Sequence, residues 1–311
     1  MQTAVVGAGI AGAACARVLT DAGHDVRVLD RGRVPGGRMA SRRIEGRYVD
    51  LGASYLTADD PGFRAVVDDW VARGVARPWT DAFHVATPAG LGARKTGPVR
   101  YAAAGGLRCL VEDLLSGQSV DQQVAVRAVG PGPTVDGAPY DAVVLAMPEP
   151  QALALLDPSL ATERAVIADR VWEPVLALAA GWGTRSWDLD GCFVNDSEVL
   201  SWVADDGRRR GDGAPVLVAH STPAFAAPRL EDAGAAGPVM LQELQAVLGL
   251  GAPAWSQVQR WTYAKPVARR EELFHLGPDR VGLCGDGWGA SKVQAAWVSG
   301  TRLGEALAAS A

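Results

Sequence analysis

The order strand, glycine turn, helix, strand, acid at the start of the chain constrains its fold more than any other feature. Thr3 to Val6 is a short run of β-forming residues, as a buried parallel strand should be. Glycines follow at 7, 9 and 12, a helix is predicted to about Ala22 with Gly23 as its cap, and Asp25 to Asp30 reads as a second strand. Gly7 permits the tight turn, and Gly9 leaves the backbone open to a pyrophosphate. Gly12 lets the helix pack close to the strand. The helix N-terminus offers free N–H groups and a positive dipole end, with Ile10 and Ala11 at the phosphates. Asp30 comes eighteen positions after Gly12, where a carboxylate meets a ribose diol. A lone G-x-G-x-x-G decides little. Strand, helix and acid in register predict a bound dinucleotide.

Arg31-Gly32-Arg33-Val34-Pro35-Gly36-Gly37-Arg38-Met39 comes next. A nicotinamide dehydrogenase would enter another helix about here. Instead, Gly36 and Gly37 can lie flat against a ligand, and Arg38 is expected to neutralise a pyrophosphate. Arg42 and Arg43 read as solvated. At the far end, a short apolar strand leads into Gly285-Asp286-Gly287. A helix follows, with Val293, Trp297, Gly300, Gly304 and Leu307 on one face.

The pattern D-R-G-x-x-x-G-G-R-M-A-x-R-R from Asp30, followed by Asp50-Leu51-Gly52-Ala53-Ser54-Tyr55, resembles the renalase-like flavin oxidoreductases, relatives of the amine oxidases. The C-terminal Gly285-Asp286 with its helix, Leu200–Asp206 and Gln259–Pro266 resemble the same family. That family usually has His and Gln where this chain has Leu51 and Ser54, and often Glu at Gln294. The resemblance implies FAD, held non-covalently by both ends of the chain as a prosthetic group. Its partners are expected to be Gly7, Gly9, Ile10, Ala11, Gly12, Asp30, Arg31, Gly37, Arg38, Met39, Gly52, Ala53, Ser54, Val124, Gly285, Asp286, Val293 and Gln294. The implied reaction is oxidation of misreduced nicotinamide dinucleotides, the 2- or 6-dihydro isomers of NAD(P)H, with dioxygen as acceptor. An amine oxidase or desaturating oxidase of a small metabolite is the alternative, and a non-catalytic flavin carrier a third class. The His and Pro that follow Gly-Asp in aromatic hydroxylases are absent.

The fold expected is α/β. A Rossmann-type FAD-binding domain of the amine oxidase or hydroxylase-like plan, residues 1–58, 99–150 and 264–311, interleaves with an α+β substrate domain, residues 59–98 and 151–263. Gln122 to Val129 reads as a strand passing the adenine, and Leu230 to Leu248 as a helix interrupted by glycines. Tyr55, Trp202 and Trp288 are the candidate catalytic residues, since flat rings stack on a flat heterocycle, and Trp261 and Tyr263 are further pocket candidates. His84, His220 and His275 read as surface or structural.

Composition narrows the partners. A net charge of −5 disfavours nucleic acid, and Arg208-Arg209-Arg210 reads as a solvated loop. Four cysteines without C-x-x-C spacing suggest free thiols in a reducing cytoplasm and no metal. No apolar run reaches the roughly 18–20 residues of a membrane span. A soluble monomer or homodimer is expected.

Overall fold

The computed structural model describes residues 1–310. The chain begins with β1 (Gln2–Val6), α1 (Ile10–Asp21), β2 (Asp25–Asp30) and a hairpin of β3 (Ser41–Ile44) and β4 (Arg47–Asp50). α2 (Pro61–Ala72), β5 (Arg77–Thr87), β6 (Gly90–Ala102), α3 (Arg108–Leu114) and β7 (Ser119–Gln122) follow. Three short strands, β8 (Val129–Gly130), β9 (Thr134–Val135) and β10 (Ala138–Pro139), precede β11 (Ala142–Leu145), α4 (Glu149–Leu155) and α5 (Ala161–Ile167). Next come β12 (Trp172–Gly181), β13 (Gly191–Val194), β14 (Leu200–Asp205), α6 (Asp206–Arg210), β15 (Val216–Ser221), α7 (Pro223–Ala226), α8 (Gly237–Leu248) and β16 (Trp255–Pro266). β17 (His275–Leu276), β18 (Val281–Leu283) and α9 (Val293–Ala309) complete the described chain.

The first sheet has six strands in the order β17-β18-β11-β1-β2-β7, and all its pairs are parallel except β17 with β18. β1, β11 and β18 are nearly continuous apolar runs because helices or loops cover both faces. α1, α3 and α9 lie on one face, where Cys15, Leu19, Leu110, Val111, Leu303 and Leu307 share a core. α9 crosses α1 closely, and a Cβ on Gly300 would stand 1.9 Å from the Ala11 carbonyl oxygen. The order reverses at β1, with β2 on one side and β11 on the other, so a crevice opens beyond their carboxyl ends.

The second sheet has seven strands in the order β16-β12-β15-β14-β13-β5-β6, antiparallel except for β13 with β5. Alternation in β12 decides what each face carries. Leu176 and Leu178 pack with Met240 and Leu244 of α8, whereas Ala177 and Ala179 face Ile44, Val49 and Leu51. Small residues on that face let the β3–β4 hairpin lie against the sheet.

Three expectations change. The strand over 122–129 ends at Gln122, because Gln123 takes a positive φ of 63°. The chain then continues irregularly, with the Val124 N–H donating to the Asp30 carbonyl at 2.9 Å. The helix expected from Leu230 begins only at Gly237, after short 3-10 turns. Residues 59–98 divide between the two layers. α2 buries Phe63, Val67 and Trp70 in the α1–α9 core, while β5 and β6 join the seven-stranded sheet. Among the described residues no helix is long and apolar enough to cross a membrane.

Candidate functional site

One large cleft, of about 1840 Å³, runs from the carboxyl ends of β1, β2 and β11 to the β5–β13–β14 side of the second sheet. A drug-sized ligand occupies roughly 300–1,000 Å³, so the cleft has room for a dinucleotide and a second molecule. The three glycines of the first turn play distinct parts. Gly7 turns at φ 111°, and a Cβ on Gly12 would meet the Gly7 carbonyl oxygen at 2.0 Å. A Cβ on Gly9 would meet nothing within 4 Å, because Gly9 faces the open cleft. Gly12 therefore serves helix packing and does not line the cleft, whereas Gly7, Gly9, Ile10 and Ala11 do.

Asp30 ends β2 with both carboxylate oxygens engaged. Oδ2 accepts from the Ala8 N–H at 2.7 Å and Oδ1 from the Gly32 N–H at 2.6 Å. Each oxygen keeps lone-pair capacity toward the cleft that Asp30 lines. Arg31, Gly37, Met39 and Val124 line the same stretch. Arg38 and Asp286, expected as separate ligand contacts, hold each other. The guanidinium donates to Asp286 at 2.5 and 2.9 Å and to the Ala264 carbonyl at 3.1 Å. It also lies 4.8 Å from the Trp172 ring centroid, and Trp172 Nε1 donates to buried Glu149 at 2.7 Å. The N-terminal loop and the Gly285–Asp286 turn are thus tied into one wall. Gly285 and Val293 also line it.

Gly52, Ala53 and Ser54 line the cleft between the two sheets. Gly52 also answers to a constraint from the protein itself. A Cβ there would lie 1.9 Å from the Arg38 carbonyl oxygen. The segment is held from behind by Arg209, which is fully buried. Arg209 donates to the Asp50 carbonyl at 2.8 Å, to the Ser54 carbonyl at 3.1 Å, and to the carboxylate of Asp206. Arg210 is also buried, 3.6 Å from the Asp50 carboxylate. The basic triplet is therefore not a solvated loop. Only Arg208 meets solvent appreciably, because α6 turns the other two inward.

The far end of the cleft is aromatic. Tyr55, Phe193 and Trp202 line it, with Phe83 and Trp79 packed behind. Trp202 Nε1 donates to Ser54 Oγ at 2.9 Å, so the ring is fixed. Trp261 and Tyr263 line the middle, and Trp261 Nε1 donates to the Leu51 carbonyl at 2.9 Å. Burial raises the Tyr55 hydroxyl above its ordinary value, opposed by nearby Arg100.

Besides Gly12, two expected site residues lie elsewhere. Trp288 is buried in the core with Leu145 and Ile167, between Arg270 at 4.1 Å and the stacked ring of His275 at 6.1 Å. Its size in a glycine loop serves packing. Gln294 Oε1 accepts the Asp59 and Asp60 N–H groups at 2.7 and 3.0 Å, and so holds the entrance to α2. His220, read from the sequence as surface or structural, lines the cleft. Burial, with Lys265 and Arg209 adding like charge, pushes its imidazole down to about 3. Period-two alternation could have found it, since it shares a strand face with Val216 and Val218. Burial pushes the Cys15 and Cys192 thiols up to about 12 and that of half-buried Cys109 up to about 11, and Cys284 sits beside Cys15 in the core.

Residues 5–70 match the NAD(P)-binding Rossmann-like domain family. An L-amino-acid oxidase of Siganus canaliculatus is 44% identical over 62 residues, 19% of this chain and 12% of that protein. A putrescine oxidase of Kocuria rosea is 38% identical over 65 residues, 21% of this chain and 14% of that protein. The matches thus span less than a sixth of those relatives. A solved putrescine oxidase bound to putrescine superposes with a TM-score of 0.78 over 99% of both chains, at 17% identity. The chain has the amine oxidase fold.

Proposed function

We propose that the protein is an FAD-dependent oxidoreductase of the renalase type. It takes a hydride from 2- or 6-dihydro isomers of NAD(P)H, with dioxygen as acceptor. The composition of the cleft carries this reading. Ten arginines and lysines line it against two acids, Asp30 and Asp286, in a chain of net charge −5. Both acids are already engaged. Such a cleft suits phosphate-bearing ligands and disfavours cationic amines. The residues fit FAD: Gly9 leaves space at the helix N-terminus, Asp30 keeps acceptor capacity for a ribose, and the wall of Arg38 and Asp286 closes the opposite side.

FAD held by these residues would supply the hydride-accepting chemistry, with dioxygen as the final oxidant and hydrogen peroxide as its product. The chain's own residues position and exclude. Gly52 and Ala53 would lie against the flat ring, with Arg209 fixing the Asp50 and Ser54 carbonyls on either side of them. Tyr55 and Trp202 cover the substrate ring and keep water out. A dihydropyridine carries its hydride on a neutral ring, so no base has to remove a proton first. His220 stays neutral and Tyr55 stays protonated near neutral pH.

Flavin reduction by a dihydronicotinamide isomer should therefore be nearly independent of pH between about 6 and 9. Reduction by an amine should rise with pH, because the amine must first lose a proton. Anaerobic stopped-flow bleaching of the flavin, across that range and with both substrate classes, reads the step directly. Rapid bleaching by amines alone would favour the amine oxidase reading suggested by the fold.

The flavin should also be non-covalent, since buried Cys284 faces the core and does not line the cleft. Acid precipitation should leave a yellow supernatant containing intact FAD. Colour retained in the pellet would show a covalent bond and overturn this point.

A further inference from the structure

The aromatic end of the cleft holds hydrogen-bond donors that no group in the protein accepts. Arg100, near the end of β6, lines the cleft with its guanidinium 4.3 Å from the Phe83 ring centroid. Its Nε and Nη1 are buried and have no hydrogen-bond partner. Among the described residues it has no carboxylate within 4.0 Å. Trp79 Nε1 is buried and unpartnered as well, in a ring 5.3 Å from Phe83 and 6.3 Å from Tyr55. Trp202 offers a contrast, because its indole N–H is satisfied by Ser54.

Buried donors in a folded protein are paired nearly always, and orphans ask for an explanation. The orphans of Arg100 and Trp79 are donors, one of the two side chains is cationic, and the surrounding faces are flat rings. A ligand bearing acceptor oxygens on a planar ring would supply what Arg100 lacks, since Arg100 lines the cleft and Trp79 lies behind it. A guanidinium can donate twice to a carboxylate or once to a carboxamide oxygen. Phe83 beneath it fixes the plane of the fork. An ammonium group would meet repulsion instead.

We infer that Arg100 is the specificity-determining residue of this end of the cleft. It takes a carboxylate or carboxamide oxygen of a substrate ring held among Tyr55, Phe193 and Trp202. The inference rests on reading the cleft as the redox site, and it extends that reading by naming the group that orients the substrate ring. It also accounts for the position of Arg100 beside Tyr55, on the sheet opposite the glycine turn.

The test uses simple ring ligands and needs no turnover. FAD-loaded protein is titrated with benzoate, benzamide and benzylamine, followed by the flavin absorption spectrum. Benzoate, benzamide or both should bind, and benzylamine should not. The tighter of the two oxygen-bearing ligands tells whether the natural substituent is a carboxylate or a carboxamide. Arg100→Gln should weaken them about tenfold or more, with flavin content and melting temperature unchanged. Arg100→Lys keeps the charge without the fork, so it should retain part of any benzoate binding and lose benzamide. Failure of both oxygen-bearing ligands to bind the wild type, equal affinities in Arg100→Gln, or tighter binding of benzylamine would each overturn the inference. An Arg100-dependent benzoate site in a protein whose flavin no dihydronicotinamide bleaches would leave it standing and remove only the proposed substrate.

Discussion

Arg209→Leu should destabilise the protein by about 3 kcal/mol, the lower end of the range for breaking a buried ion pair from one side. The side chain is fully buried and holds Asp206, the Asp50 carbonyl and the Ser54 carbonyl at once. Leucine fills part of the volume but accepts and donates nothing. Two backbone carbonyls and one carboxylate lose a charged donor together. The loss is limited because Arg47 still pairs with Asp206, at 2.5 Å. Urea unfolding measures the effect. The same variant should bind FAD more weakly, because the freed carbonyls belong to the Asp50–Ser54 segment that faces the cleft. Arg209→Lys keeps the charge near Asp206 but cannot reach both carbonyls, so it should recover most of the stability and little of the cofactor affinity. An Arg209→Leu protein as stable as wild type would show that the buried fork holds nothing.

The same residue shows where a sequence stops being readable. The first strand, helix and second strand follow from local rules, because Gly7 turns the chain at a positive φ of 111° and Gly12 packs on the Gly7 carbonyl only five positions away. The Gly285–Asp286 turn is legible for the same reason. Arg209 and Arg210 are not. Three consecutive arginines in a composition window look like solvated charge, and only partners about 160 positions away make them interior. Gln294 likewise gains its role from Asp59 and Asp60, more than 230 positions distant. Gly52 is legible as a small residue, but the carbonyl that demands it belongs to Arg38 on another segment. Trp288 failed differently. Its flat ring reads as a partner for a heterocycle, and an inward turn beside Arg270 and His275 gives it a packing role instead. Arg100 stayed hidden because an arginine near the end of an otherwise exposed strand carries no local sign of facing a cavity.

Asp30→Ala should weaken FAD binding by about 10- to 150-fold, from the roughly 1.5–3 kcal/mol that a hydrogen bond to a charged group contributes. Two effects combine. The carboxylate offers its remaining lone pairs to a ribose, and it also fixes the turn itself by accepting the Ala8 and Gly32 N–H groups. Alanine removes both, so the loop from Arg31 to Gly37 loses one of its anchors as the cofactor loses an acceptor. Asp30→Asn separates them. Its single side-chain oxygen can hold one of the two N–H groups, while the amide donates where the carboxylate accepted. The turn should then survive in part and the ribose contact should still be lost. Apoprotein titrated with FAD, followed by quenching of flavin fluorescence, gives the affinities. Flavin reduction in protein saturated with FAD should change little, because the aromatic end is built from β5, β13 and β14 of the other sheet. An unchanged dissociation constant in both variants would mean that Asp30 serves the turn alone and that another group holds the ribose.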